Sequence, residues 1–478
     1  MRDDHWLHFA SRRRRNRAPF LWLLSLLLLI YATLGRSGAY IGIPLAGGNG
    51  IFIGELVLSF GLAASLLEGS WQRFFTLPVA LPWFFFVTWN AARTLPYISE
   101  YGLTTLRDGV AWGYSLFAVI VSSQLLARPP GFGMLLNKYA RFARLYPFFV
   151  LIMTPVAIDL DVQYSGPRAS ANPSIGPTGV SAMLVHVTGA MGVVVGGLVS
   201  VRAAWWWMLT IEFLVISCIQ RGALMSFLAA AAVLRLLNPG DMRLSVRSIR
   251  VIPVIGAVLA VMLMFDFNFG VYHGGRAIAP RQLLVNFMGS FEGAGESVDG
   301  TREWREAWWS KIIDYTVYGP YFWTGKGYGI NLADDDGFQV LDKDDPAPLR
   351  SPHNSHLTFL ARSGVPGFSL WLALQLTWVI SVLRALFLAR RTGRHRTTGL
   401  LAFLLAYWTA FMTLAATDVL IEGPAGGIWF WTIFGVGAAA ARMVRRDADF
   451  FERIELRAAL AASGRSRGLR RTVPATRS

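Results

Sequence analysis

The chain has 478 residues, 54% of them hydrophobic and 15% charged, whereas ordinary soluble domains carry about 25% charged residues. Its net charge of +16 raises nucleic acid as a partner, but the arginines gather at the ends of apolar segments and in the two tails, the footprint of cytoplasmic loops under the positive-inside rule. Composition thus argues against a nucleic-acid-binding protein and predicts an all-α, polytopic integral membrane protein, and the lone Cys218 excludes an intramolecular disulfide.

Residues 1–18 form a basic tail containing Arg12, Arg13, Arg14, Arg15 and Arg17. The apolar run at 19–35 superficially matches a signal peptide, but its small-residue cleavage pattern is poor and many similar segments follow, so it reads as an uncleaved first span. Further apolar segments centre on 50–67, 74–90, 109–127, 145–158, 180–201, 204–220, 222–238, 251–266, 367–388, 399–417 and 427–441. Together they predict about twelve helices near the length needed to cross hydrocarbon. With a cytoplasmic N-terminus, that count puts Lys138, Arg141 and Arg144, then Arg243, Arg247 and Arg250, then Arg390, Arg391, Arg394 and Arg396 on the cytoplasmic side. The expected organisation is spans one to nine over 19–266, a large extracytoplasmic loop over 267–365, spans ten to twelve over 366–441, and a basic cytoplasmic tail over 442–478. No internal repeat at a fixed period is visible.

Within the loop, Trp304, Trp308, Ile312 and Tyr315 recur at helical spacing, which predicts an amphipathic helix lying at the membrane surface. The interval 323–367 is the longest stretch rich in glycine, proline and acids. Its aromatics, among them Trp323, Tyr328 and Phe338, speak against a disordered linker and for a structured functional loop.

Several residues here and elsewhere carry chemistry. His353 stands where a polar loop gives way to an apolar helix that Ser351 or Asn354 would cap. A helix N-terminus attracts anions, and a histidine there suits a general base beside a phosphate group; the bland alternative is a loop histidine bonded to a neighbouring turn. His356 follows three residues later, and the acid clusters at 334–336 and 342–345 would add oxygen ligands for a metal, but the spacing matches no metal motif and no metal is expected. Arg221 interrupts apolar sequence at the non-cytoplasmic end of a helix; it either binds an anion or snorkels to headgroups. Arg302 and Arg305 admit the same two readings. Asp418 and Glu422 either pair with such arginines or face water. Gly325, Gly327 and Gly329 make a weak phosphate cradle, and they read better as positions of close backbone approach or positive φ.

Taken together, Arg221-Gly222-Ala223, Arg305 with Trp308, the Gly325–Gly329 run, and His353-Asn354-Ser355-His356-Leu357 leading to Gly364-Val365-Pro366-Gly367 resemble the O-antigen ligase and polymerase family of bacterial envelope glycosyltransferases. The resemblance covers about residues 205–440, and many helices with one large late loop fit it. It implies transfer of a glycan from a polyprenyl diphosphate carrier to an acceptor hydroxyl on a lipid core or growing polysaccharide, at the outer face of the bacterial inner membrane, without cofactor or metal. It further implies His353 as base and Arg221 and Arg305 as diphosphate ligands, with Arg302, Asn354, His356 and the three glycines as further substrate contacts. A membrane transporter is the alternative from another class; it would show paired broken helices or internal pseudo-symmetry, and neither is clear.

Overall fold

The computed structural model describes residues 18–44, 50–164, 178–237, 260–266, 268, 270, 272–273, 276–288, 296–339 and 349–453. Apolar segments supply the helices. In chain order these are α1 (Pro19–Ala39), α2 (Ile53–Leu67), α3 (Ala80–Thr94), α4 (Ile98–Tyr101), α5 (Leu103–Gly113), α6 (Ser115–Ala127), α7 (Pro130–Tyr164), α8 (Val180–Val195), α9 (Ala203–Ile219) and α10 (Arg221–Leu237). After them come α11 (Pro280–Met288), α12 (Glu296–Val317), α13 (Leu332–Asp336), α14 (Ser355–Arg391), α15 (His395–Ala415) and α16 (Pro424–Arg446). The described strands form two short antiparallel hairpins, one of them pairing Gly42–Pro44 with Gly50–Phe52.

α15 and α16 are the centre of the bundle. α15 packs on α8, α10, α14 and α16, while α16 also packs on α1 and α6. Backbone polarity inside a membrane must be satisfied within the protein, and indoles help to join the helices: Trp378 Nε1 donates to the Phe434 carbonyl at 2.7 Å and Trp429 Nε1 to that of Leu28 at 2.8 Å. On the outside, Leu81, Ile152 and Leu376 are each at least 60% exposed. Helices that bury one apolar face and expose another need an apolar solvent. Four described helices, α7, α14, α15 and α16, are long and apolar enough to cross a membrane, and counting two bent pairs as single spans makes six. The chain is thus a multi-pass, all-α membrane protein.

Several expected boundaries move. Lys138, Arg141 and Arg144 lie within the 35-residue α7 and not in a loop before a span. The 109–127 segment divides into α5 and α6, bent by 42°, and α2 turns by 90° into a short 3₁₀ helix at Ser70–Thr76. Most of 251–266 and the acid cluster at 342–345 lie outside the described residues. α14 starts ten residues inside the expected loop and breaks its helical path at Gly364, with φ +69°.

The amphipathic stripe in the loop has a different partner from the one predicted. α12 forms where the periodicity puts it, but Trp308 and Ile312 are fully buried against Leu332, Ala333, Leu360 and Ala361. Trp308 stacks on Phe338, ring centres 5.5 Å apart. The stripe therefore packs a second, smaller core between α12, α13 and the start of α14, and this core fixes the loop to the bundle. A membrane surface and a protein core both reward the same apolar spacing, which is why periodicity alone does not separate them.

Candidate functional site

His353 owes its position to both neighbours. Asn354 caps α14, its side-chain oxygen accepting from the N–H groups of His356 and Leu357 at 3.1 Å each. On the other side, Trp309 of α12 donates to the Pro352 carbonyl at 2.8 Å. Between these two fixed points His353 takes φ +52°, a left-handed conformation rare for a side-chain-bearing residue and frequent at functional sites. Burial, then the Arg305 charge, lower its pKa below the ordinary histidine value, with Asp418 opposing. A neutral imidazole able to accept a proton is the result.

Arg305 extends inward from α12, with one terminal nitrogen 3.5 Å from the Thr417 carbonyl. Among the described residues its Nε is buried without a hydrogen-bond partner. Burial lowers its pKa, Asp418 raises it and Arg221 lowers it again, so a second guanidinium and a carboxylate share its surroundings. Arg221 is the first residue of α10. A Cβ at Gly222 would sit 2.3 Å from Thr417 Oγ1, so the missing side chain lets this helix start press against the turn after α15. Asp418 is held in that turn: Ser181 of α8 donates to its carboxylate and Ser355 of α14 to its carbonyl, each at 3.1 Å. Arg221, Arg305 and His353, widely separated in sequence, thus stand around one turn, coupled through Arg305. Nearby Glu422 accepts from Thr358 at 3.0 Å; burial pushes its pKa up to about 7, against Arg362 and neighbouring hydroxyls that lower it.

Other residues expected to contact substrate have different work. His356 uses both ring nitrogens inside the protein: Trp371 Nε1 donates to Nδ1 at 3.3 Å, and Nε2 donates to the Met412 carbonyl at 3.0 Å. That leaves nothing for a metal or a glycan. The Asn354 side-chain oxygen is occupied as a cap. Arg302 donates to Glu306 at 2.6 Å in an exposed pair one helical turn apart, so it faces outward where Arg305 faces inward.

The three glycines keep positive φ, at +60°, +85° and +103°, but their free faces meet protein. A Cβ at Gly325 would lie 2.4 Å from the Arg362 backbone, and one at Gly327 would lie 2.2 Å from the Tyr97 ring. Their N–H groups donate to the Tyr321 carbonyl, the Arg362 carbonyl and the Asp108 carboxylate. All three N–H groups are thus engaged within the protein, where they hold the loop against α14 and α5.

What clamps that loop was not visible in the sequence. Asp108 of α5 pairs with Arg362 and Arg350 at 3.0 Å each, while Arg362 also donates to the carbonyls of Gly327 and Ile330. A second tie joins Lys326 to Asp335 and Asp336, and Asp336 also accepts from Trp308 at 2.6 Å. The first acid cluster is therefore a structural anchor. Among the described residues no three His, Cys, Asp or Glu side chains are grouped to hold a metal ion.

What remains is a membrane protein in which two half-buried arginines, a carboxylate and a histidine of lowered pKa gather around one turn, suited to an anionic group and a proton transfer beside it. Residues 203–372, about a third of the chain, match the family described as O-antigen ligase, so the chain is similar to that family over this interval. The matched interval contains Arg221, Arg305 and His353; it excludes Asp418, Glu422 and Asp108. No curated protein matches the chain.

Proposed function

We propose that this protein transfers a glycan from a polyprenyl diphosphate carrier to an acceptor hydroxyl, on a lipid core or a growing polysaccharide, at the extracytoplasmic face of a bacterial inner membrane. The observation that carries this reading is the orphaned, buried Nε of Arg305 beside Arg221. A buried guanidinium with an unmet donor and a like charge as neighbour is unfavourable. A diphosphate relieves both defects, since its oxygens match the guanidinium fork.

In the proposed step the acceptor oxygen attacks the anomeric carbon from the face opposite the diphosphate. The carbon–oxygen bond to diphosphate breaks, its electron pair leaves with the phosphate, and configuration inverts. His353 takes the hydroxyl proton and later releases it to solvent. Arg221 and Arg305 stabilise the charge developing on the leaving group in a water-poor recess. Asp418 orients and partly neutralises this cationic set.

About twelve spans with both termini in the cytoplasm would put the 267–365 loop on the acceptor side. Reporter fusions after Gly337 and after Arg465 test that topology: opposite sides are expected, and both on one side would sink it. The activity is tested by reconstituting purified protein with a polyprenyl diphosphate glycan and candidate acceptors. Transfer to a lipid core marks a ligase and lengthened glycan a polymerase. Full transfer by His353→Ala would overturn the mechanism.

A further inference from the structure

At the far end of α15 from the site lies a cavity of about 440 Å³ between α1, α7, α15 and α16. Leu29, Phe142, Leu404 and Val436 are typical of its walls, and two cations, Lys138 and Arg141, line it with no Asp or Glu. The Lys138 ammonium is 3.4 Å from the Trp22 carbonyl and 4.9 Å from that indole. A tryptophan and a lysine together mark the headgroup level of a membrane. From Trp22 to Thr33, both in the cavity wall, α1 rises about 16 Å, close to one leaflet of a hydrocarbon core about 30 Å thick.

We propose that this cavity is a binding site for a phospholipid with a net negative headgroup, its acyl chain between α1 and α7 and its phosphate at Lys138 and Arg141. Charge and length both favour this occupant. A zwitterionic lipid would bring its own ammonium to two cations, and a chain much longer than one leaflet would overrun the cavity. The segment 1–18 carries six arginines against two aspartates, and that net positive charge disfavours it as an occupant beside Lys138 and Arg141. The transferred glycan's carrier is a different ligand, because Thr417 and Asp418 of the proposed catalytic site follow the C-terminal end of α15, whereas Leu400, Phe403 and Leu404 of the cavity lie in its first half.

The test is native mass spectrometry of the delipidated full chain titrated with phosphatidylglycerol, phosphatidylcholine or undecaprenyl diphosphate. Phosphatidylglycerol should be retained about tenfold better than phosphatidylcholine, given two basic side chains near the headgroup. Lys138→Gln with Arg141→Gln, both at the rim, should erase that preference while residual chain binding persists. Leu404→Trp, which fills the cavity, should reduce binding of both phospholipids, and Val436→Phe serves where that variant does not fold. Equal retention of the two phospholipids, an unchanged preference in the double variant, or displacement of phosphatidylglycerol by undecaprenyl diphosphate would each overturn the proposal.

Discussion

Arg362 and Arg305 both turn inward in the same half of the molecule, and their surroundings differ in one respect. Arg362 meets Asp108 and two backbone carbonyls, so its charge and donors are satisfied by the fold. Arg305 has a long contact to one carbonyl, an unmet Nε and a second arginine nearby. A structural arginine is complete without a ligand. One that binds is complete only with it, so the count of satisfied donors separates the two roles.

The most severe test of this distinction is at the histidine that the binding region serves. His353→Ala should cut transfer about 10²–10⁴-fold while the protein stays folded and inserted, measured as product formed per purified protein. His356→Ala should show the reverse emphasis, costing thermal stability through the lost Trp371 and Met412 bonds and leaving the chemical step comparatively intact.

Next in size is Arg362→Ala. It removes one of the two arginines on Asp108 and leaves the Gly327 and Ile330 carbonyls without their donor; breaking a buried pair typically costs about 3–5 kcal/mol, and with Arg350 still on Asp108 the loss should fall toward the lower end, which thermal unfolding would register. Arg305→Ala should cost far less stability, because it removes an incompletely satisfied charge, yet weaken retention of a diphosphate lipid. Equal losses of stability in the two variants would erase the contrast between the regions.

The pH dependence gives a subtler reading. His353 is held below its ordinary pKa, in part by Arg305, so as a base it is lost only when pH falls through that lowered value. The acid limb of the rate profile should therefore lie below the usual histidine range and move upward in Arg305→Gln. A limb that moves downward or stays in place would detach the two residues. Smallest of all is Arg302→Ala: its exposed i,i+4 pair is worth about 0.3–0.5 kcal/mol, and transfer should be unchanged.

The sequence made part of this legible. Arg221 was visible because a charge breaks an apolar run, and His353 because a polar loop ends at a helix start. The choice between Arg302 and Arg305 was not, since both lie on one helix and only the packing of Trp308 and Ile312 decides which face is inward. Asp108, Arg350 and Arg362 were missed for a related reason: a carboxylate on α5 and arginines some 240 residues later leave no local pattern, and only the tertiary fold brings them together. The role of the three glycines was half legible. Positive φ could be anticipated, but the protein atoms that fill their open faces could not.

The seam between the loop and α14 bears on how this part of the protein can move. Lys326 N–H donates to the Ala361 carbonyl at 2.7 Å, Gly327 N–H to that of Arg362 at 2.9 Å and Val365 N–H to that of Phe322 at 2.8 Å. With backbone joined to backbone on both sides of the Gly364 break, this wall cannot swing aside without opening three bonds at once. Its amides should therefore exchange with solvent slowly and as one unit, unlike those of a loop held by side chains alone.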